Sequence, residues 1–115
     1  MALIDWRSEL SRGALPYGAL AALSSQPRHG YELMTLLRSA GFARLQGGTL
    51  YPLLRRLEEQ RLISHEWDTS ASGPARKVFA LTELGTTELH HARGAWAEVT
   101  RALDSLHRPA GEAPR

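Results

Sequence analysis

Tyr51 and Arg55 lie one helical turn apart in the stretch 48–63, and Thr49 and Arg56 stand beside them. On a helix that spacing sets a phenol and a guanidinium on one face, with a hydroxyl next to them. Phenols and hydroxyls hydrogen-bond phosphate oxygens, and a guanidinium either grips a phosphate or donates two bonds to the edge of guanine. Such a face suits a DNA groove. The same residues also fit a plain solvated helix carrying an Arg55–Glu59 pair at i, i+4. A second basic pair, Arg76-Lys77, follows the loop-forming run Thr69-Ser70-Ala71-Ser72-Gly73-Pro74-Ala75.

Other chemistries find little support. Five histidines (His29, His65, His90, His91, His107) invite a metal site. His90 and His91 are adjacent, however, and point about 100° apart on a helix. No His-x₃-His spacing occurs and there is no cysteine, so no metal and no cofactor is expected. His29 is expected to cap or pack in the turn before Tyr31. Glu58 and Glu59 diverge on their helix and make no acid–base pair. No nucleophile elbow, phosphate loop or dinucleotide fingerprint is present, so the chain is not expected to be an enzyme.

Composition sets the frame. The chain has 115 residues, 43% of them hydrophobic, which suits one domain with a core. The absence of cysteine excludes disulfides and fits a reducing cytoplasm, the expected location. The first residues lack the basic and apolar regions of a signal peptide, and no apolar run approaches the roughly 18 residues of a membrane span. Formal net charge is only +2. Residues 25–77 hold eight Arg or Lys against five acids, and residues 78–115 hold four against five. A mildly basic centre is compatible with nucleic acid without requiring it.

The positioning elements follow from periodicity. Leu50, Leu53, Leu54 and Leu57 recur at i, i+3, i+4 and i+7, which predicts a helix over about residues 48–60 with a leucine face turned inward. Thr49 is its expected N-cap, with Pro52 in the first turn. Upstream, Leu3, Trp6 and Leu10 predict a short helix over residues 2–11, ended by Gly13. Leu15, Ala19, Leu20, Ala22 and Leu23 predict a buried helix over residues 14–24. Residues 25–30 read as a turn. Tyr31 begins the next helix, with Leu33, Leu36 and Leu37 inward and Gly41 just past its end. Downstream, His65-Glu66-Trp67-Asp68 and Arg76-Lys77-Val78-Phe79-Ala80-Leu81 predict a hairpin, a wing over residues 64–81. Helices followed by a hairpin give a mostly α, α+β chain in the winged helix-turn-helix arrangement over residues 1–81.

Thr82 caps a final helix over residues 82–108. Its apolar residues Leu89, Ala92, Trp96, Val99, Leu103 and Leu106 are spaced 3, 4, 3, 4, 3, which is a heptad seam. So long a helix exceeds the needs of a small core, so its seam is expected to meet a second copy across a two-fold axis, with folding back onto its own domain as the alternative. Residues 109–115 are expected to be a flexible tail.

Four blocks then carry a resemblance: His29-Gly30-Tyr31-Glu32-Leu33, Gly48-Thr49-Leu50-Tyr51-Pro52-Leu53-Leu54-Arg55-Arg56-Leu57-Glu58, Gly73-Pro74-Ala75-Arg76-Lys77 and Leu81-Thr82-Glu83-Leu84-Gly85. In this order they resemble the PadR family of transcription regulators, and the single helix after the wing resembles its compact subfamily. The resemblance implies a homodimeric repressor on a palindromic operator in double-stranded DNA. It implies DNA contacts from Tyr31, Thr49, Tyr51, Pro52 and Arg55, and from Arg76 and Lys77 on the wing. Where the family often has Ser-Pro, this chain has Gln46-Gly47. That shifts the start of the recognition helix and adds Gln46 as an operator contact. The resemblance further implies a flat aromatic effector held between the last helices of the dimer, stacked on Trp96 and walled by Val99 and Leu103. Trp96 filling the seam is the alternative. Trp6 and Leu10 of the first helix would join the dimer interface. A winged-helix module that docks a protein, without sequence-specific DNA binding, is the alternative function.

Overall fold

Leu50, Leu53, Leu54 and Leu57 are exposed by only 0, 7, 1 and 3%, and the core is assembled around them. The computed structural model describes residues 2–107. Its elements run α1 (Trp6–Leu23), β1 (Arg28–His29), α2 (Gly30–Ala40), α3 (Gly47–Glu59), β2 (Ile63–Asp68), β3 (Arg76–Leu81) and α4 (Glu83–Leu106). The three strands form one antiparallel sheet in the order β1-β3-β2. β2 and β3 make the wing, in a register that pairs Ile63 with Leu81 and Asp68 with Arg76. β1 adds His29 opposite Val78. Leu15, Ala19, Leu20 and Leu23 of α1, Leu33, Met34 and Leu37 of α2, Leu45 of the loop before α3, Ile63 and Phe79 of the wing, and Leu89 of α4 complete the core.

Several expectations are corrected. The helices expected over residues 2–11 and 14–24 are one helix, α1, and residues 2–5 lie outside it. Gly13 is exposed, and its cost of about 1 kcal/mol within a helix is outweighed by the four apolar side chains that α1 buries just beyond it. Asp5 caps this helix by accepting a bond from the Ser8 backbone N–H at 3.2 Å. The residue 25–30 turn contains β1, too short to show a period. Gln46, not Thr49, occupies the N-cap of α3. Its carbonyl accepts from the N–H groups of Thr49 and Leu50, both at 3.0 Å, so the helix begins at Gly47 and Pro52 falls beyond its first turn. β2 begins at Ile63 rather than His65, because its ladder to β3 extends to Leu81. Met34 is buried where Leu36, expected inward, is half-buried.

α4 starts as its sequence indicates. The Thr82 hydroxyl accepts from the Gly85 N–H at 3.0 Å and donates to the Arg61 carbonyl at 2.7 Å, fixing the helix to the turn before the wing. Leu89 belongs to the chain's own core, at 5% exposure, and not to a seam open to a partner. The tail at residues 109–115 lies outside the described residues.

Candidate nucleic-acid interface

Tyr31, Tyr51, Arg55, Arg76 and Lys77 border one cleft of about 330 Å³ between α2, α3 and the wing. Each arrives there for a local reason. The leucine face of α3 is buried, which turns Tyr51 and Arg55 outward, one turn apart. Tyr31 stands in the first turn of α2 and is 75% exposed. β3 carries Arg76 and Lys77 at the exposed end of the hairpin.

Tyr51 is held by neighbours that lack side chains. A Cβ on Gly30 would lie 2.8 Å from its ring, and one on Gly47 would lie 3.1 Å away on the other edge. The phenol therefore rests between the N-terminal ends of α2 and α3. Arg55 makes no ion pair with Glu59 among the described residues, so its guanidinium is available at the cleft. Glu58, the one carboxylate bordering the cleft, is engaged instead by His65 Nδ1 across to β2. The His65 ring meets Trp67 and Phe79 edge-on, at centroid distances of 5.7 and 6.2 Å. Phe79 is core, at 6% exposure. Trp67, 59% exposed, lies under Lys77, whose Nζ is 5.7 Å from the ring centroid. That is within cation–π reach and steadies the wing cation.

Gln46 and Thr49 at the start of α3, and Pro52 just past its first turn, are exposed but do not border this cleft. Thr49 lines a separate cavity of about 310 Å³ between α1 and the loop before α3. Arg44 closes an ion pair with Asp5 there, at 2.6 Å.

His29 is the element of this region that sequence reasoning left underspecified. Its backbone N–H donates to Glu32 Oε1 at 2.9 Å, and its ring Nδ1 meets the same carboxylate. Its other nitrogen, Nε2, is 2.9 Å from Asp68 Oδ2 on the wing. The Glu32 carboxylate, then that of Asp68, raises the imidazole above its ordinary 6.5, against the opposing effects of burial and Arg76. Bonds from His29 hold Glu32 below its usual range. Asp68 is held far below its own, first by the Ser70 hydroxyl and N–H and then by His29. The spacing of His29 to Glu32 is that of a capping box with histidine in the cap position. Nothing local announces Asp68.

On α4, Trp96, Val99, Leu103 and Leu106 are exposed by 46, 53, 52 and 78%. Trp6 and Leu10 of α1 are exposed by 56 and 61%. Trp96 leans on Tyr17, with centroids 6.4 Å apart and planes at 52°, and leaves its other side open. Ala92 is half-buried. No helix among the described residues is long and apolar enough to cross a membrane.

Comparison with known proteins agrees with this architecture. A transcriptional regulator of Mycobacterium tuberculosis, Rv3488, is 34% identical over 95 residues, 83% of this chain and 87% of that protein. The crystal structure of a PadR-like transcriptional regulator from Bacillus cereus superposes with a TM-score of 0.79 at 31% identity, covering 89% of this chain and 99% of the other. That of a PadR family transcriptional regulator from Eggerthella lenta also gives 0.79, at 35% identity over 85% of each chain. The family model described as Transcriptional regulator PadR-like matches residues 19–91, which include the cleft, the wing and the start of α4, and the chain accordingly belongs to the PadR-like family of transcriptional regulators.

Proposed function

We propose that this regulator acts as a homodimer that binds a palindromic operator in duplex DNA, as a repressor in the cytoplasm. In this proposal residues 1–81 bind DNA and residues 82–108 dimerise. The observation that carries it is the convergence of Tyr31, Tyr51, Arg55, Arg76 and Lys77, from three elements, on one cleft whose single carboxylate is already engaged. Arg76 and Lys77 hold phosphate from the wing, while Tyr51 and Arg55 enter the groove. Gln46 and Thr49 stand at the start of α3, where no side chain caps the helix, and Pro52 follows just past the first turn. Its free N–H groups and the positive end of its dipole suit a phosphate.

Dimerisation is supported by the open apolar row Trp96, Val99, Leu103 and Leu106 on α4, and by the exposed Trp6 and Leu10 on α1. Contiguous apolar surface of this kind marks an association site. Ala92 and Trp96 begin that row, since Leu89 is spent on the core. Between two copies, the open side of Trp96 forms one wall of a slot for a flat aromatic effector, with Val99 and Leu103 beside it. Its binding changes the angle between paired α4 helices and hence the spacing of the two clefts. Spacing must match one turn of DNA, so the effector releases the operator by shifting the population of dimer geometries.

Selection from random duplexes tests this directly. Enrichment of one palindrome is expected, with loss of affinity in Tyr51→Ala and Arg55→Ala. The near-neutral net charge of +2 favours the alternative, a winged helix that docks a protein. No enrichment at moderate salt would select that alternative.

A further inference from the structure

We propose that His29 is a positioning residue for DNA binding: its charged imidazole bridges Glu32 and Asp68, ties the wing to the helix-turn-helix, and lets go as it loses its proton, weakening the hold on the duplex. The proposal rests on the DNA-binding role argued above.

The bridge joins α2 to the far end of the wing, beside the Glu58–His65 contact between α3 and β2 and the pairing of β1 with β3. Glu32 belongs to α2 and Asp68 to the far end of β2, and the ring between them is 19% exposed. A charged imidazole donates from both nitrogens. A neutral one has a single N–H and can serve only one of the two carboxylates. Deprotonation therefore costs the ring its bond to one of the two, Glu32 beside Tyr31 or Asp68 on the wing, while the backbone N–H of His29 stays on Glu32.

The consequences reach the cleft directly. His29 and Gly30 border it, and Gly30 is the surface against which the Tyr51 ring rests. Asp68 pairs across the ladder with Arg76. An Asp68 carboxylate without its imidazole sits beside the proposed phosphate seat, where it repels phosphate and competes for Arg76. The charges facing the ring are Glu32 from α2, Asp68 from β2 and Arg76 from β3, with Arg55 and Glu58 of α3 and Lys77 of β3 around the same cleft. Glu58 is paired with His65, a second imidazole at the edge of this region, so the His29→Gln variant is the comparison that assigns the change in charge to His29. Bound phosphates favour the charged ring further, and by linkage proton loss must weaken binding.

The test has two arms, both on the full chain. In the first, the imidazole of His29 is titrated by NMR without DNA. It is expected to titrate above 6.5, with the amides of β2 shifting in step. In the second, affinity for a duplex of about 20 base pairs recovered by selection is measured from about pH 6 to about pH 9 at fixed ionic strength. Wild-type affinity should fall roughly three- to tenfold across the titration, as one nearby charge is lost. His29→Gln should bind weakly with a flat profile. Asp68→Asn, which spares the link to Glu32, should flatten it too. The proposal is overturned if His29→Gln keeps the wild-type pH profile, or if the imidazole titrates at or below its ordinary value. If no duplex binds at any pH, the DNA role itself fails. The bridge is then decided by the first arm alone: a raised titration with coupled β2 amides upholds it, and an ordinary titration overturns it.

Discussion

Tyr51 owes its position to what its neighbours lack. With a methyl at position 30 the ring must move, since the added carbon would sit 2.8 Å from it. The ring is 44% exposed and free to swing outward, so Gly30→Ala should change stability by no more than about 1 kcal/mol. Duplex affinity should nevertheless drop about tenfold, the loss of one well-placed polar contact. Thermal unfolding beside a binding isotherm separates the two effects. His29 allows a second residue-scale prediction. Because its pKa is raised, its contribution to stability is complete below the ordinary 6.5 and is lost as pH rises through the folded value. Glu32 is depressed, so its contribution is present above the ordinary 4.5 and is lost as pH falls. The stability gap between wild type and His29→Gln, followed by denaturant unfolding, should therefore be widest between those two values and shrink on either side. Tyr51, Arg55, Arg76 and Lys77 were legible in the sequence because the outer face of a leucine helix and the end of a hairpin are local facts. Asp68 was not, because it lies 39 residues from His29 and only the folded chain joins them.

The helix that presents Tyr51 is only as firm as its buried side. Leu54 is 1% exposed, and Leu54→Ala should cost about 2–5 kcal/mol by leaving a cavity under α3. The junction between wing and last helix is tighter still. A Cβ on Gly85 would lie 2.0 Å from the Leu62 carbonyl oxygen, a backbone atom that cannot step aside. Gly85→Ala should destabilise by about 3 kcal/mol, readable as a lower denaturant midpoint. Legibility of elements follows the same division. Period-3.6 leucines announced α3, and Thr82 as a cap announced α4, because both signals are strong over one or two turns. Gly13 misled, since a glycine marks a helix end only where nothing beyond it needs burying. Thr49 misled as well. A threonine in the first turn looks like a cap until the carbonyl of Gln46 is seen to accept the first helical bonds.

As a whole the molecule is long for its mass. Its principal extent is 65 Å and its radius of gyration 17.5 Å, against about 13 Å expected for a compact chain of 100 residues. α4 accounts for this: every residue from 93 to 107 is exposed. Apart from Trp96, which leans on Tyr17, the apolar residues of that half stand open, which supports the proposed partner surface beyond Leu89, whereas Leu89 itself is core. Replacing Leu103 with Asp should dissociate the proposed dimer while leaving the monomer's fold intact, as judged by sedimentation and circular dichroism. Three cations border each cleft, so a dimer neutralising six phosphates should show a slope of log affinity against log salt of about −5. The most direct test of the account is the sedimented mass of the chain on a duplex recovered by selection. Two copies per palindrome are predicted, with Arg55→Ala and Lys77→Ala together lowering affinity at least about tenfold. A single copy per duplex, or affinity indifferent to both substitutions, would contradict it.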